Sequence, residues 1–187
     1  MMKVHLLGLC LAALPMLAAA GEDARLEEGR ALAGALGAQL KAELMTAMQA
    51  DGPVAAIEVC HVEAPRIAGR LSGDGATVGR TALKVRNPAN APTAGQAAVM
   101  TDFAKRMRRG ETDAPPEAFD VAADGSARYM RAIPTGAPCL ACHGSDIAPA
   151  VQARLDALYP QDAATGFRAG ELRGAFVVAW PARPPAP

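Results

Sequence analysis

Long stretches with an apolar residue every three or four positions alternate with shorter β-branched stretches, and clusters of Gly, Pro and Asn separate them. From Ala24 to Gln49 there is no proline, and Leu26, Ala33, Leu36, Leu40, Leu44 and Met48 recur at helical spacing, which predicts a long amphipathic helix. Asp51-Gly52-Pro53 ends it. A second helical pattern places Ile57, Cys60, Ala64, Ile67 and Leu71 on one apolar stripe. His61 lies about 100° round from Cys60, on a flank shared with Val54 and Ala68. Pro65 is expected to kink this helix or to start a new one.

Beyond Gly73-Asp74-Gly75, the residues Thr77, Val78, Thr81 and Val85 predict a strand within Ala76 to Val85, and the loop Asn87 to Pro92 follows. A helix is expected over Ala94 to Arg109. Phe119 to Ala122 and Ala127 to Ile133 read as a hairpin turning at Asp124-Gly125. Val151 to Tyr159 predicts a short helix, and Gly174 to Trp180 a closing strand. Helices first, then strands broken by helices, point to an α+β domain rather than a helical bundle.

The amino-terminal pattern differs from all of these. Lys3, an apolar run from Val4 to Leu17 interrupted by Pro15, then Ala18-Ala19-Ala20 have the order of a secretory signal peptide with cleavage after Ala20. Leu9 before Cys10 argues against a lipoprotein anchor. The expected organisation is a signal peptide over 1–20, a single domain over 21–180 and a disordered Pro-rich tail over 181–187. Cleavage leaves 18 basic and 19 acidic residues, a balance with no nucleic-acid signature. No second apolar run reaches membrane-spanning length, so the expected location is the periplasm with no membrane contact after cleavage.

Processing would also leave three cysteines and two histidines, confined to Cys60-His61 and Cys139-Leu140-Ala141-Cys142-His143. The second segment is the attachment signature of a c-type haem. Two thiols one helical turn apart reach the two vinyl groups of a porphyrin, and the adjacent imidazole then lies beneath the iron as an axial ligand. Gly144 permits close backbone approach. The competing readings are a C-x-x-C disulfide, a thioredoxin-like pair lacking its βαβ context, and a zinc site assembled from Cys60, Cys139, Cys142 and one His. One covalent haem c per chain, on Cys139 and Cys142 with His143 on iron, is the cofactor expected.

The opposite axial position has several candidates on residue chemistry alone: Cys60, His61, Met45, Met48, Met100, Met107, Met130 or water. A lone thiol outside the cytoplasm needs burial or a metal to escape oxidation, which favours Cys60 without excluding a simple buried hydrophobe. Arg80, Lys84 and Arg86 are candidates to hold haem propionates, with a solvated basic strand edge as the plain alternative.

The combined order of segments resembles a family of small exported c-type haem domains with a PAS-like fold, found free-standing and as sensory regions of bacterial signalling proteins. It rests on Ala56 to Cys60 with Ala64 to Ala68, Val78 to Thr81 with Arg86 to Pro92, Tyr129-Met130 with Ile133, and Cys139 to Gly144. Tyr159-Pro160, Thr165 to Phe167 and Arg173 to Phe176 complete it, so coverage runs from Ala56 to Phe176. The resemblance implies a PAS-like antiparallel sheet flanked by helices, and His/Cys axial ligation with Cys60 as the thiolate. His61 departs from the family pattern.

Two functions follow as expectations. The first is sensing of redox state or a diatomic ligand through a His/Cys-ligated haem, acting on an unknown redox or signalling partner; the alternative is a soluble periplasmic electron carrier. Enzymatic use, such as peroxidase chemistry, needs a distal acid/base that the sequence offers only as His61, so no catalytic residues are assigned. The long first helix suits a homodimer contact as well as packing on its own domain.

Overall fold

The computed structural model describes residues 14–182 apart from Asp74 and Thr112. Most of the expected signal peptide and the end of the tail therefore lie outside the described residues. The first helix, α1 (Leu14–Ala50), runs without a break through Ala20, the expected cleavage point. No helix among the described residues is long and apolar enough to cross a membrane.

Two strands form the centre of the sheet. β3 (Ala127–Pro134) and β4 (Leu172–Trp180) pair antiparallel, flanked by β2 (Glu117–Val121) beside β3 and β1 (Thr77–Thr81) beside β4, in the order β1-β4-β3-β2. The architecture is the α+β arrangement expected. Alternation along β3 and β4 gives the sheet two apolar faces. On one, Tyr129, Val178 and Trp180 pack against Ala33 and Leu36 of α1 and Ile67 of α3 (Ala64–Leu71). On the other, Met130, Ala132, Ala175 and Val177 pack against Met100 and Phe103 of α4 (Ala94–Arg109). Met100 and Phe103 are completely buried, which stabilises the fold by about 1.5–3 kcal/mol each relative to exposure.

α1 approaches its face closely because it carries small residues there. A Cβ on Gly29 would lie 2.8 Å from Tyr129, and one on Gly37 would lie 3.0 Å from the Phe176 ring. With Ala33 between them, these residues form an i, i+4, i+8 stripe of small side chains. Polar contacts then fix the helix: Trp180 Nε1 donates to Glu28 at 3.2 Å, the Tyr129 hydroxyl donates to Glu117 at 2.7 Å, and Arg30 Nε donates to Glu117 at 2.9 Å. That guanidinium holds the Glu117 carboxyl below the usual carboxylate range.

α4 begins and ends where its caps dictate. Thr93 accepts from Gln96 N while Gln96 accepts from Thr93 N, a capping box, and Gly110 at φ 63° closes the helix. β1 stops at Thr81, earlier than the pattern to Val85 predicted, because the chain turns away from the sheet there: Ala82 N donates to the Asn90 carbonyl at 3.3 Å.

The second helical pattern is interrupted at its middle. α2 (Gly52–Glu58) and α3 are joined by a π-helical turn over Val59–Glu63, in which Ala64 N donates to the Val59 carbonyl. Pro65 has no N–H to continue that register onto the carbonyl of Cys60. Arg80 Nη2 donates to that carbonyl instead, at 3.3 Å.

Candidate functional site

The C-x-x-C-H segment lies in a tight corner after β3. A 3₁₀ turn over Ala137–Cys139 leads into the one-turn helix α5 (Leu140–His143), with Cys139 N donating to Gly136 O at 3.0 Å and Gly144 N to Leu140 O at 2.9 Å. Cys139 and Cys142 are unbonded to each other and sit one turn apart. Burial pushes the Cys142 thiol up from its ordinary pKa.

A set of long-range bonds holds His143. Its Nδ1–H donates to the Ala164 carbonyl at 2.7 Å, which fixes the tautomer and leaves Nε2 with a free lone pair. Phe167 meets the imidazole edge-on at 6.2 Å and 90°, and Phe167 N donates to the His143 carbonyl at 2.9 Å. Burial, then the charges of Arg173 and Arg86, pushes the imidazole pKa down to about 2, so the ring stays neutral. A neutral, oriented imidazole is the form that ligates a metal.

Behind the motif stands a buried ion pair. Arg86 Nε donates to Asp162 at 2.9 Å, and its Nη2 donates to the carbonyls of Cys142 at 2.6 Å and Ala164 at 3.3 Å. Asp162 in turn accepts from Ala164 N at 2.7 Å. One guanidinium thus ties together the segment that carries the thiols and the segment that orients the imidazole.

These residues border a cavity of about 160 Å³, more than ten times the ~15 Å³ a single water needs. Its wall includes Cys139, Cys142 and His143 from the motif, Cys60 from the π turn, Leu44 and Met48 from α1, and Tyr159. Ile57, Val151, Leu155 and Tyr159 form an apolar cluster at this end of the molecule, the last three from α6 (Pro149–Leu158) and the residue after it. A planar, largely apolar group with metal at its centre suits this donor set: two thiols for covalent attachment, one imidazole nitrogen, and one further sulfur. No three His, Cys, Asp or Glu side chains among the described residues form a bare-metal cluster, so the zinc arrangement is not assembled.

The remaining candidates separate clearly. Cys60 is on the cavity wall and His61 is not; His61 Nδ1 is hydrogen-bonded to the Tyr159 hydroxyl at 3.0 Å. Met48 lines the cavity, whereas Met100, Met107 and Met130 pack in the core beneath α4. Met45 is not on the wall. Arg80 reaches the cavity, and Arg86 borders it with Nε on Asp162 and Nη2 on the carbonyls of Cys142 and Ala164. Lys84 lies outside, its Nζ donating to the Thr165 carbonyl at 2.6 Å and sitting 4.8 Å from the Phe167 ring centre. Sequence reasoning missed Ala164 and Asp162, whose roles depend on backbone and pairing geometry.

The chain is similar to known proteins over most of its length. A family model described as Tll0287-like matches residues 19–181. Among solved structures, the cyanobacterial haem protein Tll0287 is similar, with a TM-score of 0.60 and 25% sequence identity over 94% of this chain and 100% of that one. No curated protein sequence matches.

Proposed function

Because the chain belongs to the Tll0287-like family, we propose that it is an exported, periplasmic haem protein that senses redox state or a diatomic ligand through a single covalent haem c. In this reading Cys139 and Cys142 would carry the thioethers, His143 would bind iron through Nε2, and Cys60 would supply a thiolate as a second iron ligand, within a PAS-like domain. The observation that carries it is the imidazole of His143: its Nδ1 is fixed on the Ala164 carbonyl, so its free nitrogen belongs to a cavity also bordered by three thiols. The haem protein of similar structure supports the cofactor, and the apolar run before Ala20 supports export.

A bound haem supplies a one-electron iron couple and a coordination position that a diatomic ligand can take. The chain's residues do the rest. His143, held by Ala164 and clamped from behind by Arg86, stays neutral and in place. Cys60 hangs from a helical turn of uncommon register, and π turns of this kind are frequent at functional sites. Ile57, backed by Val151 and Leu155, gives the cavity an apolar wall. A thiolate ligand stabilises the ferric state and lowers the potential, which suits a sensor.

The test is a pyridine haemochrome assay with ferric electron paramagnetic resonance on protein expressed with haem-attachment machinery. Covalent pigment with a low-spin thiolate signature is expected. Cys60→Ser should keep the pigment, lose the thiolate signature and raise the potential, while His143→Ala should disturb the iron site more. Polypeptide without retained pigment ends the proposal; an unchanged Cys60→Ser spectrum ends its ligand assignment. Ferrous protein that takes neither carbon monoxide nor nitric oxide, yet exchanges electrons rapidly with periplasmic partners, would favour the carrier reading.

A further inference from the structure

The strand pairing beside the cavity contains one irregularity. β3 and β4 stay in register from Ala127 opposite Trp180 to Ile133 opposite Gly174, and the next pair is Pro134 opposite Leu172. Arg173 is therefore the extra residue of a β-bulge. Bulges beside sites commonly re-aim a side chain. The following Gly174 has no room for a side chain, since a Cβ there would collide with the Thr81 carbonyl of β1.

Arg173 lines the cavity and stacks 5.4 Å from the Phe167 ring centre. Its Nη1 donates to the Lys84 carbonyl at a long 3.4 Å, and its buried Nε has no hydrogen-bond partner among the described residues. A buried charged donor left unmatched is costly. The ionisable groups around it are Arg80 of β1, Arg86 and Asp162 of the flanking loops, His143 of α5, Cys60 of the π turn, and Lys84, which shares the Phe167 ring. Asp162 is committed to Arg86, and no Asp or Glu among the described residues lines the cavity. Burial, then the charges of Arg86 and Arg80, pulls the Arg173 pKa down to about 10. Three guanidiniums converge on one cavity with a single carboxylate between them.

We infer that Arg173, aimed by the bulge and neighboured by Arg80, anchors a carboxylate of the bound group. Resting on the haem reading above, that carboxylate is a propionate. The planar fork of arginine matches a carboxylate with two parallel bonds. Arg86 is held by its ion pair with Asp162 and its bond to the Cys142 carbonyl, and Lys84 lies off the cavity wall, so Arg173 is the better placed anchor.

Resonance Raman of the propionate-bending band and equilibrium redox titration, both on haem-loaded full-length protein, test this. Arg173→Gln should move the band to the position of a water-exposed propionate and lower the midpoint potential, since a cation near the iron is lost. Lys84→Gln should move neither. If Arg173→Gln does not accumulate, Arg173→Lys keeps the charge without the fork, and the band alone should move. Intact pigment with an unmoved band in every Arg173 variant overturns this inference alone; wild-type protein without covalent pigment overturns the haem reading as well.

Discussion

The two walls that bring sulfur and nitrogen to the cavity are built to opposite standards. The His143 wall is over-determined: its ring and its own carbonyl are held by Ala164 and Phe167 of one loop, and the carbonyl of Cys142 by Arg86 of another. The Cys60 wall is a single π-helical turn whose Cys60 carbonyl relies on one side chain, Arg80, at 3.3 Å. Under the proposed function, a firmly held His143 beside a less constrained Cys60 would suit an iron with one lasting and one exchangeable protein ligand. The contrast is energetic, and so it can be measured.

The largest expected effect lies on the fixed wall. Arg86→Leu leaves the buried Asp162 carboxylate without its counter-charge and takes the side-chain donor from the Cys142 carbonyl, so stability should fall by about 3–5 kcal/mol, read from urea or thermal unfolding. A loss under 1 kcal/mol would mean that the wall is not held as described.

Acid should act next, on haem-free protein. The unfolded chain takes up a proton at His143 near pH 6.5, while the folded chain does not until about pH 2, so the unfolded state binds more protons and stability drops as the pH is lowered across that window. The slope should approach about 1.4 kcal/mol per pH unit below ~6 and should flatten in His143→Gln. Equal slopes in the two proteins would contradict a buried neutral imidazole.

The smallest effect should come from the looser wall. Pro65→Ala supplies the missing N–H, so stability should change by less than about 1 kcal/mol, but amide exchange from Cys60 to Ala64 should slow. Exchange there already as slow as in α5 would abolish the contrast.

What the sequence disclosed was local. α4 was readable to the residue because Thr93, Gln96 and Gly110 are its own stop and start signals, and the hairpin was readable because Gly125 takes φ 79° in its turn. The C-x-x-C-H segment announced itself for the same reason. Hidden features depended on partners far along the chain: Ala164 is 21 residues from His143, and Asp162 is 76 from Arg86. The π turn is visible only once Arg80 is seen to serve the Cys60 carbonyl, and the bulge at Arg173 only once β3 and β4 are aligned. Glycine inside a helix costs stability, and the aromatic rings that press on Gly29 and Gly37 explain why these two positions are small.

The small-residue stripe of α1 also sets the phase of everything downstream on that helix. Leu44 and Met48 follow Gly37 by seven and eleven positions, roughly two and three turns, so they continue the line that docks on the sheet and arrive at the cavity. Adding or deleting one residue between Gly37 and Leu44 would swing both away by about 100° while leaving the docked half undisturbed. The helix acts as an angular gauge, relaying the sheet's orientation to the chamber at its far end.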